Sequence, residues 1–197
     1  MPQQRRAQAT RRAILVAAAE EFDRAGYQAT TLNAILRRGG LTKGAFYFHF
    51  ASKEAVAQVL VRIQRERWSA LFRRWVRSGR DPLSTAIGLV DELVRLIDND
   101  VAIRAGTALA CRGEAGATPP DWERVLAELF DKAAAGGQLR ADSDPREVAR
   151  VVYAALVGVR ALGRGSTAAD RVAEIWRVVL RGVASGDWLH RNPAAGA

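Results

Sequence analysis

The sequence predicts an all-α protein, with an N-terminal three-helix helix-turn-helix head joined by a long helix to an all-helical body. Three observations lead there. Apolar residues recur at helical spacing along most of the 197 residues. No segment combines β-branched alternation with hairpin turn signals, so strands are not expected. The six prolines, Pro2, Pro82, Pro119, Pro120, Pro145 and Pro193, all fall where helices start or stop. The expected division is 1–51 for the head and 52–197 for the body.

Within the head, Ile14 to Phe22 supplies a first apolar helix. Thr31 opens a second, running to Arg38 and stopped by Gly39 and Gly40. Thr42 opens a very short third helix and Ser52 opens a fourth. Thr and Ser suit these positions because the side-chain oxygen accepts a backbone N–H that the first helical turn leaves unpaired. Ala45 to Phe50 holds four aromatics and a histidine, dense for so short an element. Leu32, Ile35, Phe46 and Phe50, with Ala18 and Phe22, are expected to form the head's small core. Phe48 suits either the core or a contact.

The fourth helix should run from Ser52 to about Ser78 and link head to body. Asp81-Pro82 then reads as an N-cap followed by proline, and Leu83, Ile87, Val90, Val94 and Ile97 mark one stripe. Further helices are expected over Val101–Arg112 and Pro119–Ala135, with a loop from Gly113 to Thr118. Two long helices close the protein. One carries Val148, Val151, Val152, Ala155, Leu156 and Val159, and the other Val172, Ile175, Trp176, Val179, Leu180 and Val183. Both stripes share the offsets of a helix packed along its length. Asp144, with Pro145 after it and Glu147 three residues on, has capping-box spacing. The tail after Asp187 reads as short, with Asn192 to Ala197 disordered.

The formal net charge is +9. Residues 1–53 hold nine basic residues against Glu20, Glu21 and Asp23, so +6 of that charge sits in the first quarter. A basic head on a nearly balanced remainder is the electrostatic footprint of nucleic-acid binding. Only three of the thirty basic residues are lysine, and two of them, Lys43 and Lys53, flank the short aromatic helix. A helix, a glycine turn and a short helix with polar and basic residues at its start is the motif that enters the DNA major groove. Thr42 and Lys43 are therefore expected at base edges. Gly44 has no side chain and would let the backbone approach closely, while Tyr47, His49, Thr31 and Lys53 are placed for phosphates. The expected partner is double-stranded operator DNA.

Other classes are disfavoured. No nucleophile or carboxylate pair sits with a histidine at workable spacing, no phosphate-cradling glycine loop is present, and the two histidines lie far apart. No catalytic residue, metal ligand or cofactor is expected. No window approaches the roughly 18 uninterrupted apolar residues that span a bilayer, and no leader pattern follows the basic start, so the expectation is a cytoplasmic protein with no membrane partner. Cys111 is the only cysteine and is expected to be buried.

From Arg11 to Ala57 the chain resembles the DNA-binding domain of the tetracycline-repressor (TetR) family. The residues that carry the resemblance are Ile14 to Phe22, Gly26-Tyr27, Thr30-Thr31-Leu32, Ile35, Gly40 to Gly44, Tyr47 to Phe50 and Ser52-Lys53-Glu54. Gly44 to Phe50 further resembles the γ-butyrolactone receptor branch of that family. The resemblance implies a ligand-responsive repressor that binds an inverted repeat as a homodimer and leaves it when a small, largely apolar effector binds. It implies that the last two long helices pair with their copies as a four-helix bundle, through Val148, Val152, Leu156, Val172, Trp176 and Val179. Those stripes could instead complete the subunit's own core. It also implies that Gln64 and Trp122 line the effector pocket. Val159 stands where the branch often carries a threonine, so the effector could be a γ-butyrolactone-type hormone or an antibiotic-like molecule. A DNA-binding architectural or regulatory protein without a small-molecule ligand is the alternative.

Overall fold

A computed structural model describes residues 2–117, 121–161 and 168–193. These form ten α-helices in the order α1 (Pro2–Ala25), α2 (Leu32–Gly39), α3 (Lys43–His49), α4 (Lys53–Val76), α5 (Pro82–Asn99), α6 (Val101–Cys111), α7 (Trp122–Ala135), α8 (Pro145–Ala161), α9 (Ala168–Val183) and α10 (Gly186–Arg191). Among the described residues there is no strand, only an isolated antiparallel bridge between Leu139 and Ala184. The expected all-α fold is what the chain adopts.

The caps explain the boundaries. Thr31 accepts from the Ala34 N–H at 3.2 Å, Thr42 from Ala45 at 3.1 Å and Ser52 from Ala55 at 3.1 Å. Each hydroxyl satisfies one donor that a helix start leaves free. Gly40 ends α2 at φ 61°, a left-handed conformation that glycine adopts without a Cβ penalty, and returns its N–H to Arg37. Gly39 acts differently, since a Cβ there would lie 2.7 Å from Leu41 Cδ1 and 3.1 Å from Ala17 Cβ. It is the glycine that lets α2 close onto α1.

The chain divides into two compact units, residues 1–69 with 96–120 and residues 70–95 with 121–197. This differs from the expected division at 51/52. The reason is that Ala105 and Leu109 of α6 join the buried cluster of Ile14, Phe22, Ile35, Phe46, Phe50, Val56 and Leu60. Gly106 allows the approach, because a Cβ there would sit 2.5 Å from the Leu60 carbonyl oxygen. Arg104 adds a polar tie, donating Nε to Asp23 at 3.0 Å and Nη1 to the Ile97 and Asp98 carbonyls.

A buried carboxylate also pins α1 to α2. Glu21 is only 4% exposed and accepts from Arg24 at 2.7 Å and Arg38 at 2.5 Å. These hydrogen bonds, Arg24 first, hold its pKa below the usual glutamate value against the opposing effect of burial. A depressed carboxylate pKa adds stability above the unfolded pKa, which is lost as pH falls through the folded one. Glu21→Gln is therefore expected to cost about 1–3 kcal/mol at pH 7, the arginines being partly solvated. The gap in Tm to the native protein should close as pH drops below about 4. Thermal melts of both proteins from pH 7 to pH 3 check this, and a gap that did not change with pH would remove the ion pair as its cause.

In the second unit, three tryptophans are tied to carboxylates on α5 or its cap. Trp75 donates to Glu92 at 2.8 Å, Trp176 to Asp91 at 3.0 Å and Trp188 to Asp81 at 3.0 Å. An indole has one N–H and needs one acceptor when buried, and α5 supplies them in sequence. Asp81 also caps α5 through the Ser84 N–H at 2.9 Å, as its position before Pro82 predicts. Gln138 reaches the Leu83 N–H at 2.9 Å, joining the loop after α7 to the same helix start.

Several expectations need correcting. Cys111 is exposed, because Leu109 and Ala110 take the inward positions and Cys111 ends α6 beyond them. Helix α7 spans Trp122–Ala135 with Asp121 as its cap, and the expected start at Pro119 lies outside the described residues. A short 3-10 turn, Glu114–Gly116, occupies the expected loop. The tail after Asp187 is not a simple tail, since Ser185 caps α10 and Trp188 is 2% exposed. Residues 194–197 are outside those described.

Candidate nucleic-acid interface

Helix α3 has one outward and one inward face, and aromatic packing decides which is which. Phe46 is fully buried and Phe50 is 5% exposed, with their rings 6.1 Å apart. That fixes the helix in rotation. At about 100° per residue, Lys43, Gly44, Tyr47 and Phe48 then occupy one continuous outward arc. All four are exposed, Tyr47 at 57% and Phe48 at 79%. A Cβ added at Gly44 would meet nothing within 4 Å. The glycine therefore answers no packing need inside the subunit.

The other expected contact residues fall in two groups. Thr31 and Thr42 are exposed and each already serves as a helix cap, which leaves the hydroxyl proton of each to donate elsewhere. His49 is half-buried off the outward arc, its ring meeting Phe48 edge-on at 5.0 Å. Lys53 is half-buried and donates to the Tyr27 and Thr30 carbonyls at 2.8 Å each, with Nζ 4.4 Å from the Tyr27 ring centroid. Two of its three N–H donors thus hold the α1–α2 turn against the start of α4. Expected only at phosphate, Lys53 also positions the head.

One residue that the sequence left ambiguous, Phe48, gains definition. Phe48 is excluded from the core, and the signal was its place one residue after Tyr47 on the same arc. Arg38, counted with the basic surface, is engaged by Glu20 and Glu21.

The residues expected in the pocket are split between the two units. Gln64 belongs to the first and is 3% exposed, while Trp122, half-buried, and Val159, 8% exposed, belong to the second. On the bundle stripes, Val148, Val152, Val172 and Trp176 are 6%, 0%, 1% and 5% exposed within the single subunit. All four are thus buried within the single subunit. Leu156 and Val179 are half-buried. The outward residues are Val151, Val157 and Val178, at 57%, 50% and 74% exposure.

A family model described as bacterial regulatory proteins, TetR family, matches residues 14–60. The A-factor receptor protein of Streptomyces griseus is 34% identical over 191 residues, covering 93% of this chain and 67% of the relative. This chain belongs to the TetR family. Among solved structures, a γ-butyrolactone receptor (ArpA-like protein) superposes with a TM-score of 0.84 at 32% identity, over 97% of this chain and 96% of that one. CprB from Streptomyces coelicolor, solved in complex with its biological operator sequence, gives 0.83 at 32% identity over 96% of each chain. The TetR-family match spans the helices that build the α3 face. The chain is thus a helix-turn-helix, DNA-binding transcriptional regulator of γ-butyrolactone receptor type and not an enzyme. Among the described residues, no helix of this TetR-family regulator is long and apolar enough to cross a membrane.

Proposed function

We propose that the protein is a ligand-responsive repressor that binds an inverted-repeat operator as a homodimer and releases it when a small, largely apolar effector binds. The observation that carries the DNA-reading part is the outward arc of α3. Lys43 at its start reaches base edges, Gly44 lets the backbone close on the groove, and Phe48 offers an apolar surface to a thymine methyl. Tyr47, His49, Thr31 and the remaining Lys53 donor serve phosphates. Residues 1–51 act as the DNA-binding domain and residues 52–197 as the ligand-binding and dimerisation domain.

Dimerisation is supported by an apolar surface in the wrong place for a monomer. Val151 and Val157 on α8 and Val178 on α9 are exposed, beside half-buried Leu156, Ile175 and Val179. Contiguous exposed apolar residues on long helices mark an association surface. The small residues Ala154, Gly158 and Gly182 between them permit close helix approach.

The effector site is supported by Gln64. Its side chain is 3% exposed on α4, a buried polar group. A buried amide is one of the few polar anchors that a small-molecule site carries. In the second unit, Trp122 is half-buried and Val159 buried, both apolar as the lining of a small-molecule site usually is. The effector is a γ-butyrolactone-type hormone or an antibiotic-like molecule. Helix α4 is unbroken from Lys53 to Val76.

Native mass spectrometry of the purified protein, followed by DNA-release assays with any co-purified compound, tests this reading. Trp122→Ala is expected to keep DNA affinity and lose release, because the head is untouched and the pocket loses its largest apolar wall. Gln64→Ala should weaken the response less. Release from Trp122→Ala at the native ligand concentration would remove Trp122 from the pocket. A protein that never releases DNA, with no compound bound, would favour the ligand-free regulator.

A further inference from the structure

Helix α1 begins well before the head needs it. The first fully buried residue is Ile14, yet the helix starts at Pro2 and residues 4–6, 8, 9, 11 and 12 are exposed. The leading segment carries Arg5, Arg6, Arg11 and Arg12, and the first acidic residue is Glu20. At about 100° per residue, Gln4, Arg5, Gln8, Arg11 and Arg12 fall within one arc of about 120°, while Ala7, Thr10 and Ala13 continue the inward stripe toward Ile14. Thr10 returns its hydroxyl to the Arg6 carbonyl at 3.0 Å and so presents nothing outward. The outward arc is therefore a row of three guanidiniums and two amides.

One member of this row reaches the end of the DNA-reading helix. Arg11 Cζ lies 5.2 Å from the centroid of the Phe50 ring, and Phe50 is the residue that ends α3. A guanidinium stacked on an aromatic face is held in direction. Arg11 fixes the arc on the side where α3 finishes, and Arg5 and Arg12, two turns apart, stand about 10 Å from each other along the helix. Burial does not explain the row, since all five of its members are exposed. Phosphate does, because a guanidinium matches its oxygens in a bidentate fork.

We propose that the α1 arm, through Arg5, Arg12 and the glutamines between them, is a second DNA-contact surface that grips the sugar-phosphate backbone flanking the bases read by α3. It rests on the DNA-binding reading above. It adds affinity and footprint length without adding base specificity, because backbone contacts carry no direct sequence information.

The test uses the full-length protein and two probes, a duplex selected from a randomised pool by the native protein and a scrambled duplex of equal length. Arg5→Ala/Arg12→Ala should lose affinity for both by the same several-fold factor. Its log–log salt slope should be less steep by about 0.9 for each phosphate contact removed. Hydroxyl-radical protection should shrink at the outer edge of each half-site and persist at its centre. Arg5→Lys/Arg12→Lys, which keeps charge, should restore most of the slope. Native affinity, slope and footprint in the alanine variant would overturn the arm proposal while leaving DNA binding intact. A loss confined to the selected duplex would also overturn it, by making these residues base readers. A native protein that retained neither duplex would overturn the DNA-binding reading itself.

Discussion

Val178→Asp is expected to convert the protein to a folded monomer and to cost about 10²–10⁴-fold in affinity for an inverted repeat. The side chain is 74% exposed on α9, so the subunit's own packing loses nothing when it is replaced. In a dimer it would bury an unpaired carboxylate against an apolar face, which costs several kcal/mol. Separating the subunits removes the benefit of two linked heads binding one site, the source of the large factor. Val152→Asp is the control with a different outcome. Val152 is 0% exposed, so a charge there should unfold the second unit rather than split a dimer. Light scattering with circular dichroism separates the two results. A Val178→Asp protein that remained dimeric would place the interface elsewhere.

Lys43→Ala is expected to lower affinity for the selected duplex by about 1–3 kcal/mol and to change scrambled DNA much less. Lys43 is exposed at the first turn of α3, with its cap supplied by Thr42, so alanine leaves the helix intact. Only a contact to base edges discriminates between duplexes, whereas a phosphate contact weakens both alike. Gel-shift titrations on both duplexes check it. Equal losses would move Lys43 from the bases to the backbone.

The contrast between Val152 and Val178 also shows how far the sequence could be read. Helical spacing finds the stripe that is buried, and on α8 and α9 that stripe is the subunit's own core. The exposed valines Val151, Val157 and Val178 lie on neighbouring positions, beside alanine, glycine and arginine, where no periodic signal marks them. The head was legible because its signals are local. Thr31, Thr42 and Ser52 announce their helices through caps that act within three residues. Lys53 was only half legible, since its bonds to Tyr27 and Thr30 span more than twenty positions. Glu21 was read as one charge among three, and only the meeting of α1 and α2 makes it the buried acceptor of two arginines. The packing of α6 was not legible for the same reason, because nothing in Ala105 and Leu109 alone says that they join the cluster around Ile14 and Phe46.

Selection of bound duplexes from a fully randomised pool, repeated with Lys43→Ala, tests the central claim most directly. The native protein should enrich an inverted repeat whose half-sites lie about one helical turn, 34–36 Å, or a multiple of it apart. Lys43→Ala should enrich the same spacing with preference relaxed at the position Lys43 reads. Recovery of no common sequence by the native protein, or of the identical motif at full strength by Lys43→Ala, would contradict the account.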